Sequence, residues 1–377
     1  MTDNNNTITG IIKCLAKDQF VVRTPDRSYQ PGSSEITVHP DMARRYRLGE
    51  GAAITGHIER KKGRIRVTQI DTVGGMTPEA FARRPNYSDL VAVDPLERFD
   101  LGACGLEDMR IVDLIAPIGK GSRQLIVSPP KAGKTVLLEH IVTGVRCCSP
   151  ESRVIVLLID ERPEEVTQFR RATEGAEIVA STSDHTADEH CDLAELMLAH
   201  VQSELECGRE IVLLIDSLTR VGRAFNNRRR RRGEGRGPTM SGGLEAGILE
   251  VPRRLFGLAR NVEGGGSVTI VATCLVDTGS RMDQLIFEEF KGTGNSEIIL
   301  DRQLAEMRVY PAIDIPASGT RKEAKLYTEQ QTAGIAILRR VLSNYGPRSA
   351  TEALFKLLRR FPTNEQFLES MNSMQNA

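Results

Sequence analysis

The apolar run Gln124-Leu125-Ile126-Val127 passes directly into Ser128-Pro129-Pro130-Lys131-Ala132-Gly133-Lys134-Thr135. A strand that feeds a small-residue loop and then a helix is the layout of a phosphate-binding loop, which restricts the fold to an α/β sheet of a particular kind. Small residues let backbone N–H groups turn inward and cradle phosphate oxygens at a helix N-terminus. Lys134 then places a point charge at the β- and γ-phosphates, and the Thr135 hydroxyl supplies a magnesium ligand. The first glycine of the usual pattern is replaced by Ser128. ATP with Mg2+ is therefore the first ligand to expect.

Three further apolar runs, at 153–159, 211–215 and 267–274, follow at the spacing of a parallel sheet. Helical patterns lie between them at 135–145, 164–171 and 188–206. Sites in such sheets form beyond the carboxyl ends of the strands. Asp216, which ends the second run, fits the acid that holds magnesium. Glu161, which follows the first run and Asp160, fits the carboxylate that orients and deprotonates the attacking water. Strand–helix junctions also favour acids for capping alone, so it is the phosphate loop upstream that gives these two their meaning. Two basic loops resemble tools more than scaffold. Phe290-Lys291-Gly292-Thr293-Gly294-Asn295 is a glycine loop with one cation, expected to be flexible. Ser318-Gly319-Thr320-Arg321-Lys322 presents an arginine that could reach a neighbour's γ-phosphate.

The bulk numbers exclude more than they assign. Net charge is zero over 377 residues, so any nucleic-acid contact must come from local patches. Seven cysteines without Cys-x-x-Cys spacing point to thiols in a reducing cytoplasm, and not to a disulfide frame or zinc site. The histidines form no metal pattern; His185 and His190 are expected on a helix surface. No stretch reaches membrane-spanning length, and the expectation is a cytoplasmic protein.

Residues 7–72 have a different texture. Short runs at 8–14, 19–23, 35–38, 52–59 and 64–70, separated by turn signals, predict a small β-barrel of the OB or cold-shock type. Residues 73–100 lack a clear period and are expected to form a linker, with the large domain at 101–377. A helix predicted from Ser217 to Asn226 leads into an arginine run containing Arg228, Arg230 and Arg232, which is expected to be a mobile basic loop suited to a phosphate backbone.

Together these segments resemble the bacterial transcription termination factor Rho family over nearly the whole chain from residue 7. The most specific stretches are Pro129 to Thr135, Leu158 to Val166, Asp277 to Asp283, Glu288 to Asn295 and Pro311 to Glu323. The resemblance implies a RecA-like P-loop ATPase core in a homohexameric ring. It implies an RNA-dependent ATPase and helicase that moves 5′ to 3′ along single-stranded RNA, unwinds RNA–DNA hybrids and releases RNA polymerase from the elongation complex. Carried onto this chain, Lys131, Ala132, Gly133, Lys134, Thr135 and Val136 bind the nucleotide, and Thr135 and Asp216 hold magnesium. Glu161 is the base, Arg321 the finger in trans, and Arg162 a further arginine of the site. Arg308 stands near the phosphates and Tyr310 stacks on adenine. Ser241, Gly242 and Gly243 match one channel RNA loop, and Lys291, Gly292, Thr293 and Gly294 match the second.

Three departures qualify what is implied. Relatives carry a helical subdomain ahead of the barrel, where this sequence has only a short polar leader. In the barrel, Phe20 is the only aromatic of a strand that usually carries two, Thr37 stands where a tyrosine is usual, and no aromatic lies at 65–67. Losing two base stacks of roughly 1–3 kcal/mol each would weaken that RNA site by about 100-fold or more. Pro238 and Thr239 replace the basic residue ahead of the first channel loop, so the arginine run is expected to take over as a less specific clamp. A second reading remains open: a family member that regulates another by mixing into or blocking its ring.

Overall fold

The computed structural model describes residues 6–231 and 247–375. Strands β1 (Thr7–Ala16), β2 (Gln19–Arg23), β3 (Ile36–Val38), β4 (Ala53–Lys61) and β5 (Arg64–Val73) close into a barrel in the order β1-β2-β3-β5-β4. Strand β4 pairs back on β1, β3 pairs parallel to β5, and helix α1 (Pro40–Arg45) lies between β3 and β4 in sequence. This is the Greek-key barrel that the five predicted runs implied. Alternation along the strands turns Ile12, Val22, Ile54, Ile58, Val67 and Ile70 into its core.

The second sheet contains β6 (Ala92–Val93), β7 (Arg123–Ser128), β8 (Arg153–Glu161), β9 (Glu177–Thr182) and β10 (Glu210–Asp216). It continues with β11 (Arg260–Val262), β12 (Ser267–Leu275), β13 (Ser296–Ile299) and β14 (Gly319–Thr320). Its main order is β14-β13-β7-β12-β10-β8-β9, and every pairing from β13 to β9 is parallel. Both faces are covered. Val156, Leu158 and Leu214 pack with Leu138 and Ile141 on one side, while Ile155, Leu157 and Leu213 pack with Met197 and Val201 on the other. Burial on both faces is why these strands read as continuous apolar runs.

The flanking helices are α2 (Pro78–Ala82), α3 (Glu107–Ile115), α4 (Lys134–Cys148), α5 (Pro163–Ala172), α6 (Ala187–Glu206) and α7 (Leu218–Arg231). Then come α8 (Glu250–Gly257), α9 (Arg281–Phe290), α10 (Arg302–Glu306), α11 (Glu329–Leu342), α12 (Pro347–Leu358) and α13 (Asn364–Gln375). None of the described helices is long and apolar enough to cross a membrane.

The stretch 73–100, expected to be a linker, has structure of its own. It carries α2 and β6, and Phe81 and Phe99 are fully buried. Two aromatic anchors too far apart for a helical or strand period gave no sequence signal. The barrel meets α6 at Gly51, whose φ of +84° and close approach require glycine: an added Cβ would lie 2.3 Å from the Ala199 carbonyl carbon. Beside it the ring Nδ1–H of buried His200 donates to the Gly51 carbonyl at 2.8 Å.

Candidate active site

Strand β7 delivers the chain into the loop 129–133, and α4 starts at Lys134. The helix cap is Gly133 at φ +86°, a left-handed turn that points the first backbone N–H groups of α4 toward the loop. A Cβ at Gly133 would lie 3.4 Å from the Tyr310 ring, so Tyr310 roofs the loop. Ala132 is buried, while Lys131 and Val136 are exposed. A cavity of about 600 Å³ opens beside them, lined by Lys131, Ala132, Gly133, Val136, Leu137, His140 and Tyr310 together with Leu106, Asp108 and Pro311.

The two acids end neighbouring strands. Because β10 pairs with β8, Asp216 lies level with Leu158, three residues short of Glu161. The Asp216 carboxylate is buried; it forms an ion pair with the Lys134 ammonium and accepts the Thr273 hydroxyl at 2.9 Å. Glu161 is equally buried. It accepts Arg220 Nη2–H at 2.8 Å and the backbone N–H of Arg162 at 3.3 Å. Burial, followed by the Asp216 charge, pushes the Glu161 carboxyl up to about 7, against the pull of Arg220 and Lys134. A carboxyl poised there can take a proton near neutral pH.

The donor set suits magnesium. The Thr135 hydroxyl and the Asp216 carboxylate are hard oxygen donors. Among the described residues, no group of three or more His, Cys, Asp and Glu could hold a metal by itself. A cation here would therefore complete its shell with nucleotide oxygens and water, as magnesium does.

The remaining expected residues are spread more widely. The Arg162 side chain is exposed, so its tie to Glu161 is through the backbone. Arg308 is exposed at φ +61° and does not line the cavity. Arg321 lies on a separate cavity with Gly294, Asn295, Glu297 and Arg339. The loop from Lys291 to Gly294, expected to be flexible, is pinned. Gly292 N–H donates to Glu297 at 3.1 Å, Gly294 is buried, and Arg321 N–H donates to the Asn295 carbonyl at 2.7 Å.

Phe20 packs against the barrel core instead of standing free, and the Thr37 hydroxyl donates to the Ile65 carbonyl at 3.2 Å. Arg228 is not part of a mobile loop, because α7 continues through Arg231. Its guanidinium sits among Glu195 (3.1 Å), Asp192 (3.3 Å) and Asp188 (3.9 Å) of α6. Ser241, Gly242, Gly243 and Arg232, and the side chain of Arg230, lie outside the described residues. His190 is buried against Ser181 at 2.8 Å and His185 precedes α6, so neither forms the expected helix surface.

Arg220 and Thr273 were not found from the sequence. Arg220 falls in the first turn after Asp216, and that spacing was the available signal; Thr273 gave none, lying inside an apolar run.

Comparison with known proteins agrees with this geometry. Residues 108–320 match the ATP synthase alpha/beta family, nucleotide-binding domain. An ATPase of the type III secretion system of pathogenic bacteria shares the fold, with a TM-score of 0.63 at 22% identity, covering 84% of this chain and 93% of that one. The transcription termination factor Rho of Cereibacter sphaeroides is 43% identical over 97% of this chain and 87% of its own length. That of Aquifex aeolicus is 44% identical over 97% of this chain and 85% of its own. With the strand-end acids, the phosphate loop and the barrel all in place, the chain belongs to the transcription termination factor Rho family.

Proposed function

We propose that this chain is an ATP-driven motor on single-stranded RNA that ends transcription, working as a homohexameric ring against the RNA polymerase elongation complex. The observation that carries the reading is the strand-end cluster of Lys134, Asp216 and the Arg220-held Glu161. There Lys134 exchanges Asp216 for the β- and γ-phosphates, and Glu161 orients a water and takes its proton. Bound magnesium, held by Thr135 and Asp216, would offset phosphate charge.

Arg321 lines a cavity distinct from its own phosphate loop, which supports its acting on a neighbouring subunit's nucleotide. Because Arg321 is bonded to Asn295, an RNA contact on the Lys291–Gly294 loop would bear directly on that arginine. The core-packed Phe20 and the bonded Thr37 support a barrel that captures RNA weakly.

The test is steady-state ATP hydrolysis with and without poly-C, poly-U and a mixed-sequence transcript, with Glu161→Gln as the blank. Stimulation by RNA is expected, with little preference for poly-C. Hydrolysis at the level of the blank with every RNA would sink the motor reading and favour a regulatory family member.

A further inference from the structure

The cavity beside the phosphate loop has an apolar body and one polar pair. With phosphates on 131–135, a base in this cavity would lie among Val136, Tyr310, Leu106 and the next turn of α4, all of which line it. Flat apolar walls hold any base and do not tell one from another. The polar atoms at that end belong to Asp108 and His140, since the neighbouring Glu107 carboxylate is engaged by Arg359 at 3.2 Å.

Both carboxylate oxygens of Asp108 are engaged within the protein. Its Oδ1 accepts the Met109 N–H at 2.9 Å, and its Oδ2 is bonded to His140 Nδ1. That second contact fixes the imidazole ring. It also fixes the tautomer, because a carboxylate can only accept and Nδ1 must carry the proton. Nε2 of the neutral ring is then an acceptor, and it has no hydrogen-bond partner among the described residues. The His140 side chain remains about one-third exposed, at 35%, so a ligand can reach it.

We propose that His140, held by Asp108, reads the base of the bound nucleotide by accepting a hydrogen bond from an exocyclic amino group, such as the 6-amino group of adenine. The inference rests on the nucleotide-binding reading above and adds a specificity-determining residue to it. A carbonyl at that position of the base would set two acceptors against each other, and a bare C–H would leave Nε2 unpaired.

The experiment measures dissociation constants at pH 8, where free imidazole is neutral, by competition against a fluorescent nucleotide. The competitors are ATP, purine riboside triphosphate, which lacks only the amino group, and inosine triphosphate, which carries a carbonyl instead. The wild type is expected to favour ATP by about tenfold over either analogue. His140→Ala should abolish that ratio, and His140→Gln, whose amide oxygen can accept, should restore part of it. Asp108→Ala should reduce the ratio by freeing the ring. Melting temperatures verify that each variant is folded. An equal ratio in wild type and His140→Ala overturns the inference while leaving nucleotide binding intact. Failure of the wild type to bind any of the three overturns the nucleotide reading itself, and this inference with it.

Discussion

Arg220 holds the Glu161 carboxylate from the first turn of α7: its Nη2–H donates to Glu161 at 2.8 Å while Nη1–H donates to the Asp160 carbonyl at 2.6 Å. Two donors of one planar fork thus fix both the base and the backbone that carries it. Arg220 also opposes the upward pull of burial on Glu161.

Replacing Arg220 with alanine should therefore act on the base in two ways. The carboxylate loses its orientation, and kcat should fall by about tenfold or more. The acid limb of the pH–rate profile should move to higher pH, because a positive charge that favours the ionised form is gone. Steady-state kinetics across pH 6 to 9 checks both. A lower kcat with an unmoved acid limb would mean Arg220 serves only the backbone.

Glu161 itself sets the pH dependence of the wild type. Its folded-state value of about 7 lies above the ordinary 4.5, so the working carboxylate is scarce in acid, and activity should rise through pH 7 to a plateau. The sign for stability is opposite. Between those two values the folded state holds a proton that the unfolded chain has released, so this residue makes the fold less stable as pH rises. Glu161→Gln should abolish hydrolysis by about 100-fold or more, and its melting temperature should gain on the wild type from pH 5 to pH 8. Thermal unfolding of both proteins at the two pH values measures that gain.

Arg228 should behave as a structural residue. It is surrounded by Asp188, Asp192 and Glu195 on α6, and removing it takes away the cation they share. Arg228→Ala should lower stability by about 1 kcal/mol, the scale of a partly exposed pair. It should leave the salt dependence of RNA binding unchanged, whereas loss of a phosphate contact would reduce the slope by about one. Chemical denaturation and RNA titration at several salt concentrations separate the two roles.

The periodic features were legible without coordinates. Each of the five barrel runs became a strand, and the run before Ser128 became β7. Glu161 and Asp216 stand at strand ends, as their positions after apolar runs required. Hydrophobic period and loop chemistry are local properties, and a strand end is written in the ten residues around it. Several of the residues missed or misread depend on partners far away in the chain. Phe81 and Phe99 bury a stretch that has no period, and Arg228 extends a helix because α6 supplies its counter-charges.

The sequence by itself determined the barrel, the parallel sheet, the phosphate loop and the two carboxylates, because each follows from short-range pattern. Only the tertiary structure decided how those parts are wired. The sheet order sets β10 between β8 and β12, so Arg220 reaches Glu161 across 59 positions of sequence and Thr273 reaches Asp216 across 57, while the packing of α3 on α4 brings His140 to Asp108 across 32. Strand order is fixed by which faces bury best against the surrounding helices, a property of the whole chain that no window of sequence contains.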